Sequence, residues 1–156
     1  MNAPTTTLDQ RYSDPAAQAI AWEEAQRLLE TAELSWLSTV RADGRPHVAP
    51  VWFDLDGSSL VFATGAGTVK GRNVTRDPRV AISVDDERPP FSFVCIDGTA
   101  EISEDPADLL KWCIRIGGRY MGAERAEAYG QRNAVPGELL VRVRATHVTA
   151  VKDLAD

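Results

Sequence analysis

The stretch that decides the fold is SLVFATGAGTVKGRNVTRDPRVAISV, residues 59–84. Its apolar run at 60–64 predicts a strand, the small residues at 65–68 predict a loop, and a short helix is expected from Lys70. A second strand is expected after Pro78. A glycine-containing loop that leads into a helix leaves backbone N–H groups unpaired, and such groups attract anions. The stretch therefore predicts an anion site at the start of the helix.

The charge of this stretch is opposite to that of the whole chain. The 156 residues carry a net charge of -6, but residues 70–79 hold four cations and one anion. The cations are Lys70, Arg72, Arg76 and Arg79. A local reversal of sign favours a phosphate-bearing ligand. The alternative is that these are solvated helix charges, since Lys and Arg are favourable near the C-terminal end of a helix.

Length and composition predict one globular domain. With 44% hydrophobic and 26% charged residues, we expect a flexible polar arm at 1–13 and a single domain at 14–156. The acidic balance argues against nucleic acid as a partner, because phosphate neutralisation needs a broad basic face. Neither a leader peptide nor a membrane span is expected, so a cytoplasmic location is predicted. Cys95 and Cys113 lack CxxC spacing and are expected to be reduced core residues.

The rest of the chain reads as strands interrupted by helices. Asp14 and Pro15 predict a helix start, and this helix is expected to run to about Ala32. Asp-Gly turns at 43–44 and 56–57 predict a meander with strands at 34–41 and 46–55, and Pro50 places the second strand at an edge or a bulge. Further strands are expected after Pro78 and at 91–102 and 139–148, and helices from Asp105 and at 123–132. Six strands with flanking helices predict a small closed or half-closed barrel.

Two strands carry further predictions about what covers them. At 91–96, Val94 and Ile96 share one face, and Phe93 and Cys95 share the other, so both faces are apolar. The core is expected to cover one face, and a partner subunit or a ligand ring the other. In the last strand, Arg142 and Arg144 alternate with apolar residues and predict an exposed face. Trp36 and Trp52 are expected in the core or in a pocket wall.

No self-sufficient catalytic constellation is present. The histidines, His47 and His147, lie far apart without further zinc ligands, so no metal site is predicted. The hydrolase motif GxSxG is absent, and the nucleotide motifs GxGxxG and GxxxxGK[ST] do not occur in their required context. The residues therefore predict a protein that borrows its reactivity from a cofactor and places a small-molecule substrate against it. No catalytic side chain is assigned, and a proton could come from water.

Three segments together resemble a known family. They are LSTVRADGRPHVAPVWF (37–53), VFATGAGTVKGRNVTRDPRVAISV (61–84) and FSFVCIDGTAEI (91–102). Across about residues 33–151 the chain resembles the pyridoxamine 5'-phosphate oxidase-like split β-barrels, in particular the flavin/deazaflavin oxidoreductases. The resemblance implies a mainly β (α+β) fold: a six-stranded split β-barrel with flanking helices, also known as the FMN-binding split barrel.

The resemblance also implies which residues bind the cofactor. Thr64 and Lys70 match positions that bind the cofactor phosphate in relatives, with Arg72 and Asn73 alongside. The isoalloxazine or deazaflavin ring is expected against the second strand, His47, Val48, Ala49, Pro50 and Val51. His47 is expected to flank the ring or to be half-buried, not to donate a proton. Phe93 matches an aromatic position supplied by the other subunit in some relatives, which implies a homodimer with cofactor at the subunit interface.

One departure from the family narrows the expected activity. The last strand reads ELLVRVRATHVTAV (138–151) where true oxidases carry an Arg-Leu-x-Pro type signature, so pyridoxamine phosphate is not the expected substrate. Arg72 and Arg76 would suit the acidic tail of coenzyme F420. The leading hypothesis is an F420-dependent reductase that delivers hydride to an unsaturated organic acceptor. The alternatives are an FMN-binding flavoprotein and a non-catalytic carrier of cofactor, haem or another tetrapyrrole.

Overall fold

The computed structural model describes residues 6–7, 18–19 and 22–155. No helix in these ranges is long and apolar enough to span a membrane. The strands are β1 (Thr6–Thr7), β2 (Gln18–Ala19), β3 (Ser35–Val40), β4 (Pro46–Val51), β5 (Asp54–Asp56), β6 (Ser59–Gly65), β7 (Arg79–Asp86), β8 (Ser92–Ser103) and β9 (Glu138–Lys152). The helices are α1 (Trp22–Thr31), α2 (Val69–Arg76), α3 (Pro106–Met121) and α4 (Ala126–Asn133), with a 3-10 turn at Ala123–Arg125.

The seven longer strands form one antiparallel sheet in the order β4-β3-β7-β8-β9-β6-β5, and β1 and β2 add to β9. β4 and β5 lie at opposite edges of this sheet, yet only Trp52 and Phe53 separate them in the chain. Three Cα–Cα steps reach at most about 11 Å. The sheet therefore curls until its two edges meet, although no ladder joins β4 to β5 in the described sheet. The predicted split barrel with flanking helices is confirmed, and its sheet has seven longer strands instead of six.

Two predicted element boundaries are wrong. Residues 46–55 form two strands instead of one, because β4 pairs with β3 at one edge of the sheet whereas β5 pairs with β6 at the other. The predicted helix from Asp14 starts later: Gln18–Ala19 pair with β9, and α1 begins at Trp22. Asp14 itself lies outside the described residues. So does most of the predicted arm, of which Thr6–Thr7 pair in parallel with β9.

Other local predictions are confirmed. β4 is an edge strand, which is where Pro50 is tolerated because it donates no ladder hydrogen bond. α3 begins with Pro106 after the cap Asp105, whose side chain accepts the N–H of Ala107 at 3.1 Å. β4 and β6, the strands that follow the two Asp-Gly turns, begin where the sequence predicts. Local chemistry therefore fixed these boundaries.

The core divides into two clusters on the two faces of the sheet. The main cluster fills the curled interior, and it includes the fully buried Leu37, Val94 and Ile96. The second cluster lies outside β6 and β9, where α3 covers them. Its members are Val61, Leu109, Trp112, Cys113 and Leu140. β9 is thus apolar on both faces near its start because a helix covers the face that the alternating pattern assigns to solvent.

Arg142 lies beneath α3 and not on an exposed strand face, so that prediction is wrong. Its guanidinium donates to Asp108 at 2.9 and 3.2 Å and to Asp56 at 3.1 Å. It also lies 5.5 Å from the centre of the Trp112 ring. These hydrogen bonds lower the pKa of Asp108. Arg144 is exposed, as predicted.

Arg119 of α3 fastens α1 to the barrel. It donates to the carbonyls of Leu29 and Ala32, both at 2.6 Å. These carbonyls lie at the C-terminal end of α1, where the last carbonyls of a helix have no N–H donor within the helix. Its guanidinium also lies 3.6 Å from the carboxylate of Asp54. Since α1 has no basic residue in its last turn, Arg119 supplies the positive charge that the dipole of α1 favours at this end.

We expect Arg119→Ala to lower the free energy of unfolding by about 2–4 kcal/mol, because it leaves partly buried carbonyls without a donor. Urea denaturation followed by circular dichroism measures this. The matched control is Arg45→Ala, which breaks an exposed pair with Asp43 at 2.7 Å. That change should stay below about 0.5 kcal/mol. Equal losses in the two variants would show that Arg119 does not fasten α1.

Candidate functional site

The loop between β6 and α2 is held close to the helix that follows it. Thr68 caps α2: its hydroxyl accepts the N–H of Gly71 at 3.0 Å and donates to the carbonyl of Gly65 at 2.8 Å. Gly71 is required here, since a Cβ on it would lie 2.2 Å from that carbonyl oxygen. The N–H groups of Val69 and Lys70 lie in the first turn, where the helix offers no acceptor. The predicted strand, loop and helix are confirmed.

Thr64 and Asn73, both predicted at the phosphate site, brace α2 from inside the protein. Each is 4% exposed. The hydroxyl of Thr64 lies 3.1 Å from that of Thr68. The amide of Asn73 donates to the hydroxyl of Thr39 at 2.9 Å and accepts from Arg76 at 3.3 Å. These hydrogen bonds tie α2 to β6 and β3, while direct contact of either side chain with a phosphate stays a prediction.

The four cations of this segment differ in how far the protein uses them. Arg72 and Arg76 are exposed, and each donates to a backbone carbonyl. Arg79 forms an ion pair with Asp77 at 2.7 Å, and its hydrogen bonds lower the pKa of Asp77 to about 2. Among the described residues, none forms a hydrogen bond or ion pair with the side chain of Lys70. Lys70 is thus the cation left available for a ligand.

Lys70 lines a cavity of about 380 Å³ beside the start of α2. Predicted residues Pro50 and Val51 form part of its wall. The cavity thereby joins the end of β4 to α2, the two parts that the resemblance assigns to ring and phosphate. Other residues that line it are Trp52, Ala63, Cys113, Ile116, Arg132, Asn133, Val135 and Glu138.

Glu138 places a carboxylate at the same loop. Its Oε1 atom is 3.1 Å from the position that a Cβ on Gly65 would take. Burial raises the pKa of Glu138, and the positive charge of Lys70 opposes this rise. Among the described residues, none forms a hydrogen bond or ion pair with this carboxylate. A negative charge therefore stands beside the cation that the sequence assigns to a phosphate.

The remaining wall is aromatic and chemically inert. The ring of Trp52 stacks on that of Tyr120, with centroids 4.8 Å apart and planes 3° from parallel. The hydroxyl of Tyr120 accepts the N–H of Phe53 at 3.3 Å, and burial raises the pKa of Tyr120. Burial also raises the pKa of Cys113 to about 11, so its thiol stays protonated near neutral pH. Trp52 is a pocket wall, as predicted, and the wall is rigid.

The other predicted residues lie outside this cavity. His47, Val48 and Ala49 lie nearer the start of β4. Nδ1 of His47 lies 3.2 Å from the guanidinium of Arg41, and because a guanidinium only donates, this nitrogen must accept. Val48 is 56% exposed. Phe93 lies on β8, which β3 and β7 separate from β4 in the sheet.

Sequence reasoning missed Arg132, Asn133 and Glu138 as cavity residues. The cavity contains them because β9 returns antiparallel to β6, which pairs Gly65 with Glu138 across 73 positions of sequence. No local pattern encodes that pairing. The one available signal was an acidic residue at the first position of an otherwise apolar strand.

The cavity combines two kinds of surface. Lys70 and the first-turn N–H groups of α2 offer positive charge and hydrogen-bond donors, and Trp52 and Ile116 offer apolar surface. Such a site fits a planar molecule that carries a phosphate. Within the described ranges, no group of three or more His, Cys, Asp or Glu side chains could hold a metal ion.

We expect Gly71→Ala to destabilise the protein by about 1–3 kcal/mol, because the new methyl group overlaps the Gly65 carbonyl and moves α2 off its loop. Helix propensity alone predicts the opposite sign, since Ala is favoured over Gly by about 1 kcal/mol. Thermal and urea unfolding decide between the two. Gly67→Ala is the control, because a Cβ on Gly67 has no atom within 4 Å, and it should be close to neutral. A stabilised Gly71→Ala protein would contradict the close contact.

Comparison with solved structures supports this architecture. A conserved hypothetical protein from Mycobacterium tuberculosis is 24% identical, with a TM-score of 0.77 over 88% of this chain and 89% of that one. An F420 reductase is 31% identical, with a TM-score of 0.63 over 79% of this chain and 94% of that one. The heme storage protein HutZ from Vibrio cholerae is 18% identical, with a TM-score of 0.67 over 83% of this chain and 93% of that one.

The fold is therefore shared by proteins with different roles. The likenesses to the Mycobacterium and Vibrio proteins concern the fold alone, whereas the F420 reductase is also a relative in sequence. Since residues 21–152 match the family model described as pyridoxamine 5'-phosphate oxidase, the chain belongs to the pyridoxamine 5'-phosphate oxidase family.

Proposed function

We propose that this protein is an F420-dependent oxidoreductase that acts as a homodimer and reduces an unsaturated organic acceptor. The observation that carries the proposal is the uncommitted Lys70 at the first turn of α2, beside a cavity with an apolar wall. A phosphate placed there gains a charge-assisted hydrogen bond and backbone N–H donors. The 31% identity to an F420 reductase supports this cofactor over FMN.

The cofactor would supply the hydride, and the chain would supply binding and orientation. Lys70 would fix the phosphate end, and Pro50 and Val51 at the end of β4 would fix the ring. Trp52, stacked on Tyr120, would offer an apolar surface to the ring. Holding two reactants at contact distance removes much of the entropic barrier to their reaction.

Two exposed arginines support F420 in particular. Arg72 and Arg76 flank Lys70 on α2, and each uses its guanidinium for contacts with backbone carbonyls or a neighbouring amide. A guanidinium has five N–H donors, so most of them stay available. The acidic tail of F420 continues beyond the phosphate and offers carboxylates to such donors, whereas FMN ends at its phosphate.

The outer face of the barrel supports a dimer. Strand register places Pro50 beside Trp36, Trp36 beside Ser83, and Ser83 beside Cys95. Paired residues share a face of the sheet, as do residues two positions apart in a strand, so Val48 and Phe93 lie on this face too. Trp36 and Val48 are 41% and 56% exposed. A second copy packed on this apolar face would bring its own Phe93 towards β4 of the first.

We expect Lys70→Ala to weaken F420 binding at least about tenfold, since it removes a charge-assisted phosphate contact worth roughly 1.4 kcal/mol or more. Fluorescence quenching of apo protein titrated with F420, and separately with FMN, measures this. Arg79→Ala is the control, because Arg79 is already paired with Asp77, and its F420 affinity should stay within about twofold of the wild type.

Three outcomes of this experiment would redirect the proposal. Equal losses in the Lys70 and Arg79 variants would remove Lys70 from the site. Stoichiometric FMN binding without F420 binding would favour the FMN flavoprotein. Tight F420 binding with no acceptor-dependent oxidation of reduced F420, across a panel of unsaturated compounds, would favour a non-catalytic carrier.

We expect Val48→Glu to convert the dimer to a monomer and to weaken F420 binding, because it buries a carboxylate in an apolar interface that completes the site. Sedimentation velocity and the F420 titration measure the two effects. Ile102→Glu is the control: Ile102 is 38% exposed on β8, far along that strand from Phe93. A wild-type monomer, or a monomeric variant with full F420 affinity, would contradict an interfacial site.

A further inference from the structure

Glu138 is an acidic residue at a site proposed for an anion, and among the described residues none forms a hydrogen bond or ion pair with its carboxylate. Resting on the proposed function, we propose that Glu138 is a specificity-determining residue: its carboxylate selects a phosphodiester, such as that of F420, against a terminal phosphomonoester, such as that of FMN. The inference depends on where the carboxylate is held, on the charges that face it, and on the charge of the two phosphate classes.

The carboxylate is held against the loop by the backbone on both sides. Glu138 pairs with Gly65 in the β6–β9 ladder. The preceding Gly137 adopts φ +93°, and its carbonyl accepts the N–H of Ala66 at 2.8 Å. Oε1 of Glu138 then lies over Gly65, 3.1 Å from where a Cβ would stand. An anion bound at the loop therefore meets this carboxylate at close range.

Few charges face Glu138 in the cavity. Lys70 comes from α2, Arg132 comes from α4, and α3 contributes the thiol of Cys113, which is neutral near pH 7. Of these groups, Lys70 is the one whose charge affects Glu138. The attraction of Lys70 for an anion is thus opposed by one nearby negative charge, and the balance between them depends on how much charge the anion carries.

The two phosphate classes differ in that charge. The phosphate of F420 links the ribityl chain to the acidic tail, so it is a diester with one negative charge. The phosphate of FMN is a terminal monoester, and such a group loses a second proton with a pKa of about 6. Coulomb repulsion scales with the product of charges, so Glu138 repels the dianion twice as strongly at equal distance. Partial burial strengthens both repulsions, which favours the diester.

Dissociation constants for F420, FMN and riboflavin, measured at pH 8, test the inference. In Glu138→Gln we expect FMN to bind about tenfold tighter and F420 about threefold tighter, with riboflavin changed less than about twofold because it has no phosphate. Glu138→Asp retains the charge and should keep the wild-type ratio of FMN to F420 affinity within about twofold. The control Glu87→Gln removes the charge of an exposed residue in the β7–β8 connection and should change none of the three.

The outcomes separate this inference from the proposed function. Equal tightening of FMN and F420 in Glu138→Gln, or an equal change for riboflavin, would overturn the selective role of Glu138 while leaving F420 binding intact. Weaker FMN binding in Glu138→Gln would overturn it as well, since the carboxylate would then be a ligand contact. Failure of the wild type to bind F420 would reject the proposed function, and the selectivity inferred from it.

Discussion

The contact between Gly71 and the carbonyl of Gly65 is the constraint on which the site depends. It lets α2 start directly above the end of β6, with Thr68 hydrogen-bonded to both residues. Because the helix starts there, Lys70 enters the cavity while Asn73 is buried against β3. Any side chain at 71 would separate helix and strand, so backbone geometry, more than charge, positions Lys70, whose side chain has no partner among the described residues.

The same segment shows how a cluster of charges divides its roles. Arg79 neutralises Asp77, Arg72 donates to the Gly67 carbonyl in the loop, and Arg76 donates to the Val40 carbonyl at the end of β3. These pairings stabilise the segment beside the cavity, and none of these side chains lines it. Lys70 and Glu138 differ because neither side chain has a described hydrogen-bond partner, and both residues line the cavity. Groups that a fold leaves unsatisfied beside a cavity are the ones that a ligand can satisfy.

Features with local causes could be predicted from the sequence. Thr68 and Asp105 begin helices through their own side chains, and Pro50 marks an edge strand through its missing donor. Features that depend on distant pairing could not. The break after Val51 follows from the closure of a curled sheet, and the burial of Arg142 follows from α3 lying across β9. The same distinction explains why the site was predicted only in part. The loop before α2 is encoded by neighbouring residues, whereas Glu138 reaches the site through strand register alone.

β9 is the strand on which assembly of the barrel depends. In the described sheet it pairs with β8 on one side and with β6 on the other, and β6 has no other strand partner besides β5. β4, β3, β7 and β8 all precede β9 in the chain and pair with one another, so this half of the sheet can form without β9. In the described sheet, the other half, β6 and β5, is connected to it by strand pairing through residues 138–152. The ladder that joins the two halves therefore cannot form before residues 138–152 are synthesised, although α2 itself already contacts β3 through Asn73 and Thr39.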